Sequence, residues 1–414
     1  MFTLSFVFFL LAGVGLRMWL ATRQVRCVRG HRDGVPTEFV GHISLQSHQR
    51  AADYTLARVR VNLLEQWVDA LLLVGLTLLG GLQFLNRHLG VLIDDELTRQ
   101  LALIASVLAV FGLVELPFSI WRKFRLEARF GFNRMTPRLF IADLAKGLAL
   151  AIALGLPLTA AILWLMANTG TAWTWWAWGV WVAFNILILW AFPTVIAPLF
   201  NKFVPLDDPK LTEQVRALMT RCGFTLNGLF VMDGSKRSAH GNAYFTGFGK
   251  ARRIVFFDTL LARLDGNEIE AVLAHELGHF KHRHILRRMI LSFILSLGFF
   301  LVLGWVSQQV WFYTGLGVLP QLGRPNDALA LILFFLAVPV FTFWVAPLGN
   351  WLSRRDEFQA DQYSASQCPP RALISALVKL YDDNAATLTP DPMHSAFYDS
   401  HPPAVIRIRR LGHG

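Results

Sequence analysis

Seven stretches of this chain are long and apolar enough to cross about 30 Å of hydrocarbon as helix: 2–22, 62–86, 99–121, 142–167, 172–200, 285–313 and 326–349. Inside a bilayer every backbone N–H and C=O must be satisfied within the protein, so such stretches are helices. Charged residues make up 16% of the chain against about 25% in soluble domains. The fold class expected is therefore mainly α, a polytopic membrane protein. Fourteen Trp and 33 Phe suit helices anchored at the lipid interface. The first stretch opens Met1-Phe2-Thr3-Leu4-Ser5 without a positive side chain, and no small-residue cleavage site follows. It reads as a retained span rather than a secretion signal.

The formal net charge of +11 raises nucleic acid as a partner, but the distribution of the basic residues argues against it. Arg23, Arg26, Arg29, Arg32, Arg50, Arg58 and Arg60 fall between the first two spans. Arg122, Lys123, Arg125, Arg129, Arg134 and Arg138 fall between the third and fourth. The second-to-third link has Arg87 against Asp94, Asp95 and Glu96, and the link Asn168-Thr169-Gly170-Thr171 has no charge. Alternation of this kind is the positive-inside pattern. It predicts an outside N-terminus, with residues 201–284 and the tail from about 350 both in the cytoplasm. Trp173, Trp175, Trp176 and Trp178 then mark the outer end of the fifth span. The bilayer is the expected partner, nucleic acid is not, and a monomer is expected. Cys27, Cys222 and Cys368 have no disulfide or metal-ligand spacing.

Four segments follow: 1–200 with five spans, 201–284 polar, 285–349 with two spans, and 350–414 as a polar tail. The first polar segment reads as a small α+β unit. Leu211 to Cys222 is a helix and Gly228 to Met232 a strand. Asn242-Ala243-Tyr244-Phe245 is a strand closed by Gly247 and Gly249, and Arg253 to Phe257 is another. An amphipathic helix from Gly266 then carries His275-Glu276-Leu277-Gly278-His279. Histidines four apart share a helix face about 6 Å apart, which suits two corners of a zinc tetrahedron. Glu276 between them suits a general base for the metal's water. The bland reading is a solvated, charged turn that matches by accident.

A catalytic zinc needs a third protein ligand and an open position. The tail opens Arg354-Arg355-Asp356-Glu357-Phe358-Gln359-Ala360-Asp361, in which Glu357 and Asp361 share a face. Glu357 can serve as the ligand and Asp361 as hydrogen-bond acceptor to a zinc-bound His; an exposed acidic helix start fits the same residues. His401 in Ser400-His401-Pro402-Pro403 can stabilise an oxyanion. Arg407 can hold that loop through an acidic partner or take a substrate carboxylate. A plain surface loop followed by basic residues is the alternative. Glu65, Asp69 and Glu115 sit at membrane depth, where charges usually face a bundle interior or water-filled cavity; Glu65 can also lie at headgroup level.

These motifs, with Ser47-His48-Gln49-Arg50-Ala51-Ala52-Asp53-Tyr54, Gly131-Phe132-Asn133-Arg134-Met135-Thr136, Ala197-Pro198-Leu199-Phe200-Asn201-Lys202 and the long run Asp233 to Tyr244, resemble the type I CAAX prenyl endopeptidases. The resemblance covers most of the chain. It implies a chamber enclosed by seven helices with a zinc-protease domain at its cytoplasmic end. It also implies one Zn2+ on His275, His279 and Glu357, Glu276 as base and His401 at the oxyanion. The strand Asn242, Ala243, Tyr244, Phe245 would border the substrate cleft. The substrate implied is a peptide or protein, with a prenylated C-terminal peptide as the family's type. Short loops and an ending without a retrieval signal, Leu411-Gly412-His413-Gly414, suggest a bacterial inner-membrane relative.

Two rivals stand beside this reading. One is a quality-control zinc protease of the heat-shock type, which has fewer spans; the other is a zinc transporter or receptor, which needs ligands within the spans. Of the weaker features, His282 and His284 read as membrane-interface residues. Ser235-Lys236 reads as a cleft or turn feature, and Leu264-Asp265-Gly266 as the turn before the zinc helix.

Overall fold

The computed structural model describes residues 1–246, 251–321 and 323–412. Gly247 and Gly249, expected to close a strand, and the terminal His413-Gly414 lie outside the described residues. Six helices are long and apolar enough to cross a membrane: Phe2–Gly30, Glu96–Glu127, Pro137–Asn168, Gly170–Phe200, His284–Val306 and Asp327–Gln367. The seventh crossing is a bent pair, Leu45–Leu76 and Gly81–Leu92, at 52°. It covers the second expected span. The bend falls at Gly80, whose φ of +79° is open to glycine at no steric cost.

A helix packed into a solid bundle buries one whole face. Here only 6% of the apolar window is buried in both Pro137–Asn168 and Gly170–Phe200, against 44% in Asp327–Gln367. The last span is thus the packed one, with Ala328 to Val340 at the centre of the membrane core beside Leu103, Leu163, Trp173 and Leu303. The poorly buried spans leave most of their apolar surface uncovered by protein, which is consistent with a chamber-type membrane fold.

The polar segments fold as one unit around a four-stranded sheet. Its strands are β1 (Phe203–Pro205), β2 (Thr225–Met232), β3 (Ala243–Thr246) and β4 (Ala251–Phe257), in the order β1-β2-β4-β3. β2 and β4 are parallel, with Met232 opposite Phe257, and the other pairs are antiparallel, so β3 is an edge strand. Alternation puts Ile254 and Phe256 of β4 into the core, both fully buried. Leu211, Val215, Leu218 and Met219 of the helix Pro209–Arg221 meet them there, and that helix is capped by Asp208. The same core takes in Leu373, Ala376 and Leu377 from the tail. Residues 201–284 and 350–414 therefore share one interior, although two spans separate them in sequence.

Some boundaries differ from the expected ones. The line at 349/350 falls inside one helix, Ala346–Gln367, which follows the last span through a single tight turn, Phe343–Val345. The sixth span stops at Val306, and Val310–Gly315 forms a separate short helix. β1, too short to carry a period, was not expected.

Polar clamps tie the domain to the membrane body. Arg237 grips both Asp143 oxygens at 2.8 and 2.9 Å and also bonds Asn201 Oδ1 and the Phe200 carbonyl. Arg23 of the first span likewise holds Asp391 at 3.1 and 3.0 Å.

Candidate active site

The helix Gly266–Lys281 begins with a capping box: Asp265 accepts from the Asn267 and Glu268 amides, and Glu268 accepts from the Asp265 amide. This sharp start is the turn read at Leu264-Asp265-Gly266. A little over three turns on, the helix crosses the tail helix Ala346–Gln367. The crossing is at Gly278, where a Cβ would lie 2.9 Å from Ala360 Cα and 3.1 Å from Tyr363 Cβ. The glycine within the motif thus permits a backbone approach that no other residue would. Ser364 Oγ donates to the Ala271 carbonyl at 2.7 Å and pins the same crossing.

The crossing sets Glu357, only 4% exposed, against both histidines. His275 Nε2 lies 3.5 Å from Glu357 Oε2, His279 Nε2 lies 3.4 Å from Glu357 Oε1, and the two Nε2 atoms are 3.3 Å apart. Two imidazoles bound at about 2.0–2.1 Å to a tetrahedral ion are separated by about 3.3–3.4 Å. Glu357 Oε2 is buried with no hydrogen-bond partner. One divalent cation fits between the three side chains, whose ligand atoms all lie within 4.8 Å of one another.

The far side of each histidine fixes its tautomer. Asp361 Oδ1 accepts from His275 Nδ1 at 2.9 Å, which leaves the Nε2 lone pair facing inward. Burial opposes charge on His275, but the bonds to Asp361 and Glu357 outweigh it and raise its pKa to about 9. Surroundings that favour an imidazolium this strongly favour a bound cation for the same electrostatic reason. Asp361 is in turn held at both oxygens by Arg407, at 2.9 and 2.5 Å.

Arg407 was expected among the catalytic groups, either holding its loop through an acidic partner or taking a substrate carboxylate. Its side chain is 7% exposed, and the acidic partner it meets is Asp361. His284 departs from the interface position expected of it. It starts the sixth span, as an interface residue would, yet its side chain is 1% exposed. His284 Nε2 donates to Gln359 Oε1 at 2.8 Å, so its Nδ1 accepts from His279 Nδ1 at 3.0 Å. The only sequence signal for this role was the +5 spacing from His279. His282 remains exposed, as expected.

Glu276 is half-buried and has no hydrogen-bond or ion-pair partner among the described residues. His401, 65% exposed, brings Nε2 to 3.5 Å from Glu357 Oε1. Asn242 immediately precedes β3, and Ala243, Tyr244 and Phe245 lie within it. Phe245 packs on Phe280 of the HExxH helix with ring centroids 5.7 Å apart, which places the sheet edge beside the site. Ser235-Lys236 is a turn, with the Ser235 amide bonded to Asp258. In the membrane body Glu65 is buried and paired with Arg122, which also reaches Glu115 at 3.8 Å, and Asp69 lines a small cavity with Arg17. Cys27, Cys222 and Cys368 are free thiols.

A membrane-spanning helical body carrying buried histidines and a carboxylate around an HExxH helix defines an integral-membrane metalloendopeptidase. Residues 24–202 match the CAAX prenyl protease N-terminal family of five membrane helices, and residues 205–413 match peptidase family M48. The chain belongs to peptidase family M48. A CAAX prenyl protease 1 homolog of Arabidopsis thaliana is 34% identical over 389 residues, covering 91% of this chain and 90% of its own length. CAAX prenyl protease 1 of Saccharomyces cerevisiae is 33% identical over 329 residues, covering 77% and 73%. The crystal structure of S. mikatae Ste24p superposes with a TM-score of 0.91 at 28% identity, covering 99% of each chain. The relatives are eukaryotic, so the bacterial inner membrane expected above has no support in them.

Proposed function

We propose that the site holds one Zn2+ on His275, His279 and Glu357 and hydrolyses peptide bonds near the C-terminus of prenylated peptides. The observation that carries the proposal is the pair of inward-facing Nε2 atoms 3.3 Å apart above a buried carboxylate. His275, His279 and Glu357 would hold the ion, which when bound would supply a Lewis acid for the scissile carbonyl and an acidified water. Glu276, without a hydrogen-bond or ion-pair partner among the described residues, would take the water's proton and return it to the leaving amine nitrogen. His401 donates a hydrogen bond to the carbonyl oxygen as negative charge develops there. Arg407 and Asp361 hold the His275 ring in its ligating tautomer. The edge strand β3, with Asn242, Ala243, Tyr244 and Phe245, receives the peptide as an added strand.

The names of the relatives supply the substrate class, and the arginine-rich links support a cytoplasmic face for the domain. The working unit is a monomer, since all the proposed groups come from one chain.

The test uses purified protein in detergent, metal analysis, and farnesylated and unmodified C-terminal peptides assayed with and without chelator. One zinc per chain and chelator-sensitive cleavage of the farnesylated peptide are expected. Glu276→Gln should keep the metal and lose at least about 10²-fold in kcat; full turnover in that variant refutes its role as base.

A further inference from the structure

His401 opens onto a cavity of about 360 Å³ that the mechanism above does not use. That volume lies in the range of small-ligand subsites, about 300–1,000 Å³. One wall is a single face of the second span: Thr55, Arg58, Val59 and Asn62, at i, i+3, i+4 and i+7. The other wall comes from the tail, with Tyr381, Tyr398 and Asp399 leading to His401.

Arg58 is the cation of this cavity. It is exposed, and its guanidinium lies over the Tyr54 ring at 5.5 Å from the centroid. Among the described residues it forms no ion pair, whereas Arg23, Arg122, Arg237 and Arg407 all do. The neighbouring carboxylate, Glu127, is engaged by the Tyr54 hydroxyl at 2.5 Å and faces His240 Nε2 at 3.7 Å. The guanidinium shares a hydrogen bond with the Tyr54 hydroxyl and faces the Glu127 charge, and its remaining N–H donors are open to a planar anion.

We infer that Arg58 binds the C-terminal α-carboxylate of the peptide substrate and so selects bonds close to a chain end. The inference rests on the substrate reading proposed above. A peptide cut near its C-terminus carries a free carboxylate on the leaving side, within a few residues of the scissile bond at about 3.3 Å per residue. That group needs a place beside His401, and the cavity joins His401 to an arginine that has no ion pair among the described residues. Asp399 on the opposite wall disfavours an anion there, which restricts the carboxylate to the Arg58 side of the cavity.

The experiment compares one farnesylated peptide as free acid and as C-terminal amide, with the full-length protein and its Arg58→Gln and Arg58→Lys variants. The parent protein should show a KM about tenfold lower for the acid than for the amide. Arg58→Gln should raise the KM of the acid by about the same factor, with kcat and the amide unchanged, and Arg58→Lys should recover part of the loss. Equal KM values for acid and amide in the parent protein overturn this inference alone. So does an equal loss on both peptides in Arg58→Gln, because a structural role would act on both. Failure of the parent protein to cleave either form overturns the substrate reading, and this inference falls with it.

Discussion

A zinc-type histidine is as good a ligand as the group behind it, and both histidines here are backed by buried partners. His275 leans on Asp361 and Arg407, and His279 leans on His284 and Gln359. The first relay was half legible: Glu357 and Asp361 at i, i+4 promised one ligand and one acceptor, and Arg407 promised an acidic partner without showing that it would be Asp361. The second relay was not legible. His284 follows Lys281 and Arg283, and in sequence that run looks like a wet interface. Only the turn at Arg283, in the left-handed region at φ 55°, swings His284 back toward the metal helix. His284→Ala should therefore weaken metal binding about 10–100-fold, read by competition with a chelator of known affinity. An unchanged affinity would leave His284 as packing alone.

Among the elements, the crossing of Gly266–Lys281 with Ala346–Gln367 carries most of the site. Gly278 has no role of its own in the motif as the sequence presents it. In three dimensions it is the point where two helix backbones nearly touch. A glycine in a helix interior ordinarily gains about 1 kcal/mol of helix propensity on replacement by alanine. At Gly278 the added methyl meets backbone and must move Ala360, and with it Glu357 one turn away. Gly278→Ala should destabilise by about 1–3 kcal/mol and lower metal affinity, seen as a reduced thermal midpoint and incomplete metal loading. A variant more stable than the parent would show that the crossing has slack. The strands were easier to read because β4 ends in a continuous Ile-Val-Phe-Phe run, whereas β1 covers three residues.

Over the whole molecule, function depends on holding a soluble-type domain against a membrane body of long apolar helices. Arg237 is the best-defined link, reaching Asp143, Asn201 and the Phe200 carbonyl from one side chain. Arg237→Ala strands a partly buried Asp143 and should cost about 1–3 kcal/mol. Because the metal ligands stand apart from this clamp, the variant should retain bound metal while losing peptidase activity on a long peptide. Thermal unfolding in detergent, metal content and turnover measured together separate the two effects. Recovery of stability in the double change Arg237→Met with Asp143→Leu would fit a paired, half-buried bridge. A parent-like midpoint in Arg237→Ala would show that the clamp carries little.

The chain's sequence alone was enough for the membrane class, for six to seven membrane-capable helices and for the helix that carries His275 and His279. Those features rest on local properties: uninterrupted apolar length, the distribution of Arg between spans, and histidines spaced by one helical turn. Tertiary structure decided that residues 201–284 and 350–414 share one core, that Arg407 is buried behind Asp361, and that His284 turns inward. These depend on which faces meet across two intervening spans, and no period or spacing along a chain encodes the distance between segments that touch only after folding.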